Sequence, residues 1–598
     1  MKTKRILALL LAAMVMVFGL VACNKENKPS DTENKTQTTD ENKKDDTNKT
    51  EEPAGDDNTA DNTSGDKKQP TGTPDKDQFL NVLIDAQPNT LDPSKGSDMY
   101  GNTVLLNTLE PLVRIAQNKD DPAVADYVPA GAASWETSED GLVWTFKLND
   151  NKWSDGTPVT AKDYEFGIKR SADPNTASPF ANTIYPIKNG EAVNKGDKPV
   201  EELGVKALDE KTLEITLEKP FGYFLDLVIM RTYFPQREDM VKQFADLYAT
   251  APENTPSCGP FILDSWLVNS SLEFKKNPEF WNAENVLLDK VHAQIIQDAN
   301  TINTALETGQ IDFASIGDPS KQAQFKENPE LTYTRRENPW TGYLLFNFNE
   351  NSPVSKSAKI RQAIAVALDR QELIDATMDG NPVPAYSFVP PTMQLQTKTF
   401  NTSGEGPLKE VIDEVKDPKA LLIEGMKEAG LGEDPSKLEI KFEGSSNDPK
   451  SRLMSEFIKQ DIESKLGIKL NVTDNDWNAF SAKLNSGEFD ICWLAWGADF
   501  NDPSNFLETL WSKAPAYESQ GYKNEKYDEL IEKAQASGDA DERIKDLKEA
   551  EKILIKDDMA IAPINHSISN IFRKFYVVGA QENFFQTMGW QTMHTEGR

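Results

Sequence analysis

From Phe79 onward the chain alternates between two hydrophobic periods. Residues 79–84 (Phe-Leu-Asn-Val-Leu-Ile) form an apolar run of strand length and read as a buried strand. Residues 142–148 and 211–217 alternate apolar and polar positions, the pattern of half-buried strands, and Pro220 stops the second. Residues 358–369, 450–466 and 541–556 instead place apolar side chains every three to four positions, which predicts amphipathic helices. Gly467 supplies a C-cap for the middle one, and a strand follows at 468–470. Strands and helices interleaved over about 520 residues predict an α/β protein of two or three domains, because single cores seldom grow past about 250–300 residues.

The stretch before Phe79 has neither period. Lys2, Lys4 and Arg5 precede an almost unbroken apolar run at 6–21, followed by Leu20-Val21-Ala22-Cys23. A basic start, a short apolar segment and a small residue before the cut describe a secretory signal peptide at 1–22. The run falls short of the roughly 20 residues that span a bilayer. The four residues ending in Cys23 resemble a bacterial lipobox, so Cys23 is the expected lipidation site and membrane anchor, acylated as in other such lipoproteins. Residues 23–78 are rich in Asn, Asp, Glu, Lys and Thr and nearly free of large apolar side chains. Such a segment cannot offset its ordering entropy and is expected to be a disordered tether, with a reach of about 40 Å.

Charge narrows the function classes. The 598 residues carry a net charge of −32, with a pI near 4.6. That balance argues against a nucleic-acid partner, whose phosphates need a basic face, and against lying flat on an anionic membrane. The three histidines, His292, His566 and His594, show no metal-ligand spacing to one another or to cysteine. Phosphate-loop, nucleophile-elbow, dinucleotide and zinc-protease motifs are missing from the sequence. The expected reading is a binding protein with no catalytic residue, metal or cofactor. An exported hydrolase built on a carboxylate pair is the competing reading of another class. With Cys23 lipidated, Cys258 and Cys492 remain, and their spacing allows either a disulfide or two buried thiols.

A series of motifs then runs through the chain in a fixed order. Residues 89–93 read Asn-Thr-Leu-Asp-Pro, and 107–112 read Asn-Thr-Leu-Glu-Pro-Leu. Val128-Pro129-Ala130, Trp135 and the 138–141 turn lead into 145–148. Residues 152–163 (Lys-Trp-Ser-Asp-Gly-Thr-Pro-Val-Thr-Ala-Lys-Asp) form a turn followed by a helix start at Thr160. Cys258-Gly259-Pro260-Phe261, residues 277–281 and the 360–370 helix follow. This order resembles the oligopeptide-binding branch of the extracytoplasmic solute-binding proteins of family 5, which serve ABC peptide permeases. The resemblance implies a two-lobed periplasmic-binding-protein-like fold with a subsidiary domain and a ligand cleft between the lobes. One lobe would comprise 79–112, 231–341 and 565–598, with the subsidiary domain at 113–230 and the second lobe at 342–564. Hinge crossings are expected near Thr341 and Ile564.

The most telling stretch is 490–503, Asp-Ile-Cys-Trp-Leu-Ala-Trp-Gly-Ala-Asp-Phe-Asn-Asp-Pro. On the residues alone it is an apolar strand ending in a carboxylate that caps a loop. The resemblance implies instead that Asp499 receives a peptide's α-ammonium group and that Ala495, Trp496 and Gly497 hydrogen-bond its backbone. Pairing with a strand satisfies a buried peptide's N–H and C=O groups without reading its side chains. The resemblance places Trp477 and Trp496 in side-chain pockets, although either ring would serve equally as plain core, and makes Ser97, Asp98 and Met99 the facing backbone wall. Relatives that take longer peptides often fix the terminal carboxylate with arginines where this chain has Leu484 and Trp493. Lys450, then Arg452, are the substitutes; each reads equally as a solvated helix residue. The implied partners are a short peptide, the transmembrane subunits of an ABC permease with their ATPases, and the membrane through the lipid anchor, with the protein itself a monomer. Nickel, haem, a sugar or a peptide pheromone are the alternative ligands within the same fold.

Overall fold

The computed structural model describes residues 67–598, apart from 97, 119–124, 397, 447, 515–517, 582–584 and 586–588. The signal segment, Cys23 and Ser97 lie outside the described residues, as does the tether up to residue 66.

Three sheets organise the chain. The strand Phe79–Ile84 pairs in parallel with Lys290–Ile295, and Ser271–Lys276 and Phe261–Leu267 extend that sheet antiparallel. Leu80, Val82 and Ile84 are fully buried, as the apolar run requires. A second four-stranded sheet orders Ala132–Thr137, Val143–Leu148, Thr212–Thr216 and Val205–Asp209. Between the second sheet's strands Val143–Leu148 and Val205–Asp209, the 152–163 motif folds as its residues dictate. Gly156 takes a positive φ of 86° in the turn, and Thr160 opens the helix Ala161–Ala172 with its N–H donating to the Asp163 carboxylate at 2.8 Å.

The largest sheet orders Phe313–Ser315, Ile561–Lys574, Leu331–Phe346, Ile491–Gly497, Glu439–Gly444 and Lys469–Asp474. Its two longest strands, Leu331–Phe346 and Ile561–Lys574, pair antiparallel along most of their length, with register shifts between Glu337 and Thr341 and again between Gly342 and Tyr343. The Ile491–Gly497 strand pairs with Leu331–Phe346 from one end to the other. On its opposite side, however, only Ile491 and Cys492 pair, with Phe442 and Glu443. The strand ladder on that side therefore ends at Cys492 among the described residues, and this fact positions the site.

The helix predicted at 450–466 is observed as Pro449–Leu466, with Gly467 at φ 76° as its C-cap. The one predicted at 541–556 begins at Ala540 and stays α-helical to Lys552, then widens into a π-turn at Ile553–Asp557. Cys258 and Cys492 are both buried and free, which settles the alternative in favour of two thiols.

One expectation is corrected. The tether was expected to lack structure up to Gln78, yet residues 67–78 pack against the body. The Asp75 N–H donates to the Thr595 carbonyl at 2.9 Å, and Asp75's carboxylate accepts the Gly597 N–H at 2.8 Å. Gln78 is buried and exchanges side-chain hydrogen bonds with the Thr595 backbone, 2.9 Å each way. Lys68 adds an ion pair to Glu330. Polar composition predicted disorder because it counts apolar burial; here polar side chains and backbone groups meet partners that lie far away in sequence.

Candidate functional site

The strand leads directly to the acidic residue singled out above. An antiparallel strand turns alternate N–H and C=O groups to each side, and beyond Cys492 the side away from Leu331–Phe346 has no paired strand among the described residues. Ala495 is exposed, and Trp496 and Gly497 are half-buried. A Cβ on Gly497 would stand 2.3 Å from the Trp340 indole, so only glycine lets that ring lie across the strand end. Beyond it, the Ala498 N–H closes onto the Pro339 carbonyl at 2.9 Å and the chain turns into Asp499.

Asn505 holds this turn. Its side-chain oxygen accepts the Trp496 indole N–H at 2.9 Å and the Asp499 N–H at 3.4 Å. Asn505 is itself buried, so it fixes Trp496 and Asp499 relative to one another. The Asp499 carboxylate touches solvent on one side and is ringed by protein on the others. That enclosure pushes its pKa up to about 6, against the Arg231 charge and a hydrogen bond with Asn505, which both act to lower it.

Arg231 comes from the other side. It is buried, and one of its guanidinium nitrogens, Nη2, donates to the Asp98 carbonyl at 2.6 Å. Burial depresses its pKa, while Asp98 and Asp499 favour its charged form. Its Nη1 is buried without a hydrogen-bond partner, and a Cβ on Gly96 would come within 2.3 Å of it. Gly96 thus makes the space in which the guanidinium lies. A buried donor left unmatched is costly unless something completes it.

The remaining predicted residues are placed as follows. Asp98 caps the helix Met99–Thr108; its carboxylate accepts the Gly101 N–H at 2.6 Å and the Asn89 N–H at 3.1 Å. With Arg231 on its carbonyl, Asp98 has little left to offer as backbone wall. Met99, 56% exposed, opens to solvent beside it. Trp477 begins the helix Trp477–Ser486, 61% exposed, with its ring against Phe480. Lys450 sits in the first turn of its helix, exposed, in an ion pair with Asp379 at 2.7 Å, and Arg452 is also exposed. Leu484 and Trp493 are half-buried. The structure thus gathers Ala495, Trp496, Gly497 and Asp499 into one element and brings Asp98 near it through Arg231. Nothing in it links Lys450 to that group. Sequence reasoning missed Arg231 and Asn505. A lone arginine in the apolar run Val228-Ile229-Met230-Arg231 was the available signal. Among the described residues, no group of three or more His, Cys, Asp or Glu is placed to hold a metal ion.

Comparison with known proteins agrees with this geometry. Residues 126–518 match the bacterial extracellular solute-binding proteins, family 5 (middle region). The oligopeptide-binding protein OppA of Bacillus subtilis is 32% identical over 489 residues, covering 81% of this chain and 87% of that protein. Among solved structures, the Escherichia coli murein tripeptide-binding protein MppA superposes with a TM-score of 0.72 at 27% identity, covering 88% of this chain and all of that one. Listeria monocytogenes OppA bound to peptide gives 0.68 at 30% identity, covering 87% and 99%. The fold is the two-lobed α/β architecture of these proteins, and the chain belongs to family 5 of the bacterial extracellular solute-binding proteins.

Proposed function

We propose that the protein binds short peptides outside the cytoplasmic membrane, held there by lipid on Cys23, and delivers them to an ABC importer. The observation that carries this reading is a strand, Ile491–Gly497, whose pairing with Glu439–Gly444 stops at Cys492 and which runs on into Asp499. An extended peptide adds to such a strand through its backbone, which gives affinity with little sequence preference. Its α-ammonium then meets Asp499, and Met99 faces it across the cleft. Trp496 and Trp477 offer broad apolar surface to its side chains. The relatives named above include proteins whose names state oligopeptide and murein tripeptide ligands.

In this reading residues 79–112, 231–341 and 565–598 form one lobe, 113–230 the subsidiary domain and 342–564 the second lobe. The chain crosses between lobes within the paired strands Leu331–Phe346 and Ile561–Lys574. The register shifts around Thr341 weaken the ladder where a hinge would bend.

The test is calorimetric titration of a free and an N-acetylated peptide against wild type and Asp499→Asn. Leaving a buried ammonium unpaired costs about 3–5 kcal/mol, a 10²- to 10³-fold rise in Kd or somewhat more. Acetylation and mutation should each produce a loss of that order, and together far less than their product. Independent, multiplicative losses would defeat the assignment of Asp499.

A further inference from the structure

A cavity of about 610 Å³ lies where residues 126–144 and 220–226 face residues 502–543. Five rings, Tyr127, Trp144, Phe221, Tyr223 and Phe224, wall it on one side. On the other side Asp502 and Arg543, both buried, form a bidentate ion pair at 2.8 Å on each oxygen. Arg543 is fully engaged, since its Nε also donates to the Ala534 carbonyl at 2.9 Å. Three further acids, Asp126, Glu139 and Asp140, line the same cavity, and among its lining residues Arg543 is the one base.

Asp226 makes this more than an acidic surface. It is 5% exposed and lines the cavity, and its Oδ1 has no hydrogen-bond partner among the described residues. The groups that face it are the Tyr127 hydroxyl, which hydrogen-bonds the carboxyl, and across the gap the Asp502–Arg543 pair. Arg543's charge is offset by the nearer Asp502, so Asp226 has no cation of its own. A buried carboxyl oxygen without a donor, beside aromatic faces and under a rim of acids, is the chemistry that receives an organic cation.

We propose that this cavity is a second binding site, which takes an ammonium or guanidinium group between Asp226 and the aromatic walls. The cation comes either from a basic side chain of a bound peptide or from a free small amine. The site lies where two parts of the chain also meet through Tyr223, whose hydroxyl donates to Glu508 at 2.7 Å and whose ring stacks on Phe500, and through the Gly222 N–H, which donates to the Gln535 carbonyl at 3.2 Å. An occupant therefore holds those parts together. Burial and the Asp502 charge push the Asp226 carboxyl up to about 8, so at pH 7 it is protonated while the site is empty. Binding a cation favours the carboxylate and releases that proton. The proposal does not depend on Asp499 anchoring a peptide, and either can fail alone.

Agmatine, whose guanidinium stays charged throughout, is titrated calorimetrically into the full chain and into Asp226→Asn and Asp499→Asn at pH 7 and pH 9. The expected result is saturable binding that Asp226→Asn weakens at least tenfold and Asp499→Asn changes less than threefold. Buffers of different ionisation enthalpy should report proton release at pH 7 and much less at pH 9. This count is read on the unmutated chain, so it holds even where a variant folds poorly. Two peptides differing only in arginine against citrulline identify the source. An arginine preference of tenfold or more that collapses in Asp226→Asn assigns the cation to the peptide; agmatine binding with no such preference assigns it to a free amine. Agmatine binding that Asp226→Asn leaves unchanged overturns the site. So does the absence of both agmatine binding and an arginine preference.

Discussion

Asp499 and Asp502 lie three residues apart on one loop, and the two regions they serve treat a carboxylate in opposite ways. At Asp502 the protein supplies the counter-charge itself: Arg543 grips both oxygens and the pair is shut away from water. At Asp499 the guanidinium of Arg231 acts from a distance, the carboxylate has an open side, and its pKa sits near 6. A closed pair is a structural joint, whereas an open carboxylate held by Asn505 suits the receptor role proposed for it. The contrast shows that acidity alone says little in a chain with a net charge of −32. What distinguishes a binding group is the missing partner.

The sharpest way to break the comparison is to remove Arg543. Arg543→Met should lower unfolding stability by about 3–5 kcal/mol, because Asp502 is left buried and uncompensated. Urea unfolding checks this, and the same measurement on Asp499→Asn should show no loss of stability and even a gain, because enclosure that raises a carboxyl's pKa already penalises its ionised form in the folded state. If both variants lose comparable stability, the joint-and-receptor distinction falls.

Acid should separate the regions next. With the Asp499 carboxyl near 6 when unliganded, protons compete with the peptide's ammonium below that pH. Kd should rise about tenfold for each pH unit below 6, until the pKa of the complex is reached. The sign follows because the ammonium binds the ionised form. Replacing Arg231 with Met removes a charge that lowers this pKa, so the midpoint of the Kd profile should move to higher pH. A profile that stays put in Arg231→Met would show that the guanidinium does not act on Asp499.

The smallest expected effect concerns the start of the ordered body. A chain beginning at Asp77 loses the Lys68 ion pair and the Asp75 hydrogen bonds, at roughly 1–2 kcal/mol. One beginning at residue 66 should match the full chain in thermal unfolding. Equal melting of the two truncations would return residues 67–76 to the tether.

Local patterns were the legible part of this fold. The 79–84 strand and the 449–466 helix with Gly467 follow from apolar spacing and a single cap, so the residues involved are neighbours in sequence. Asp499 was legible because strand, turn and carboxylate lie within one short run. What stayed hidden was non-local. The end of the ladder at Cys492 depends on where Glu439–Gly444 stops pairing, and Arg543 meets Asp502 only through folding. Lys450 shows the reverse hazard. Its position in a helix and its charge suited a carboxylate anchor, yet in the structure its Nζ pairs with Asp379 at the surface.

The packing of residues 67–78 has a mechanical consequence. Any pull transmitted along the chain from its N-terminal side reaches the body first at Lys68, Asp75 and Gln78, which are bonded to Pro329, Glu330 and the C-terminal residues 595–598. Those bonds take the load before the Phe79–Ile84 strand does. Through Pro329 and Glu330 the pull runs on into Leu331–Phe346, the strand that pairs with the one carrying Trp496. A molecule pulled or jostled from that end would carry the load to within one strand of the site proposed to hold the ligand.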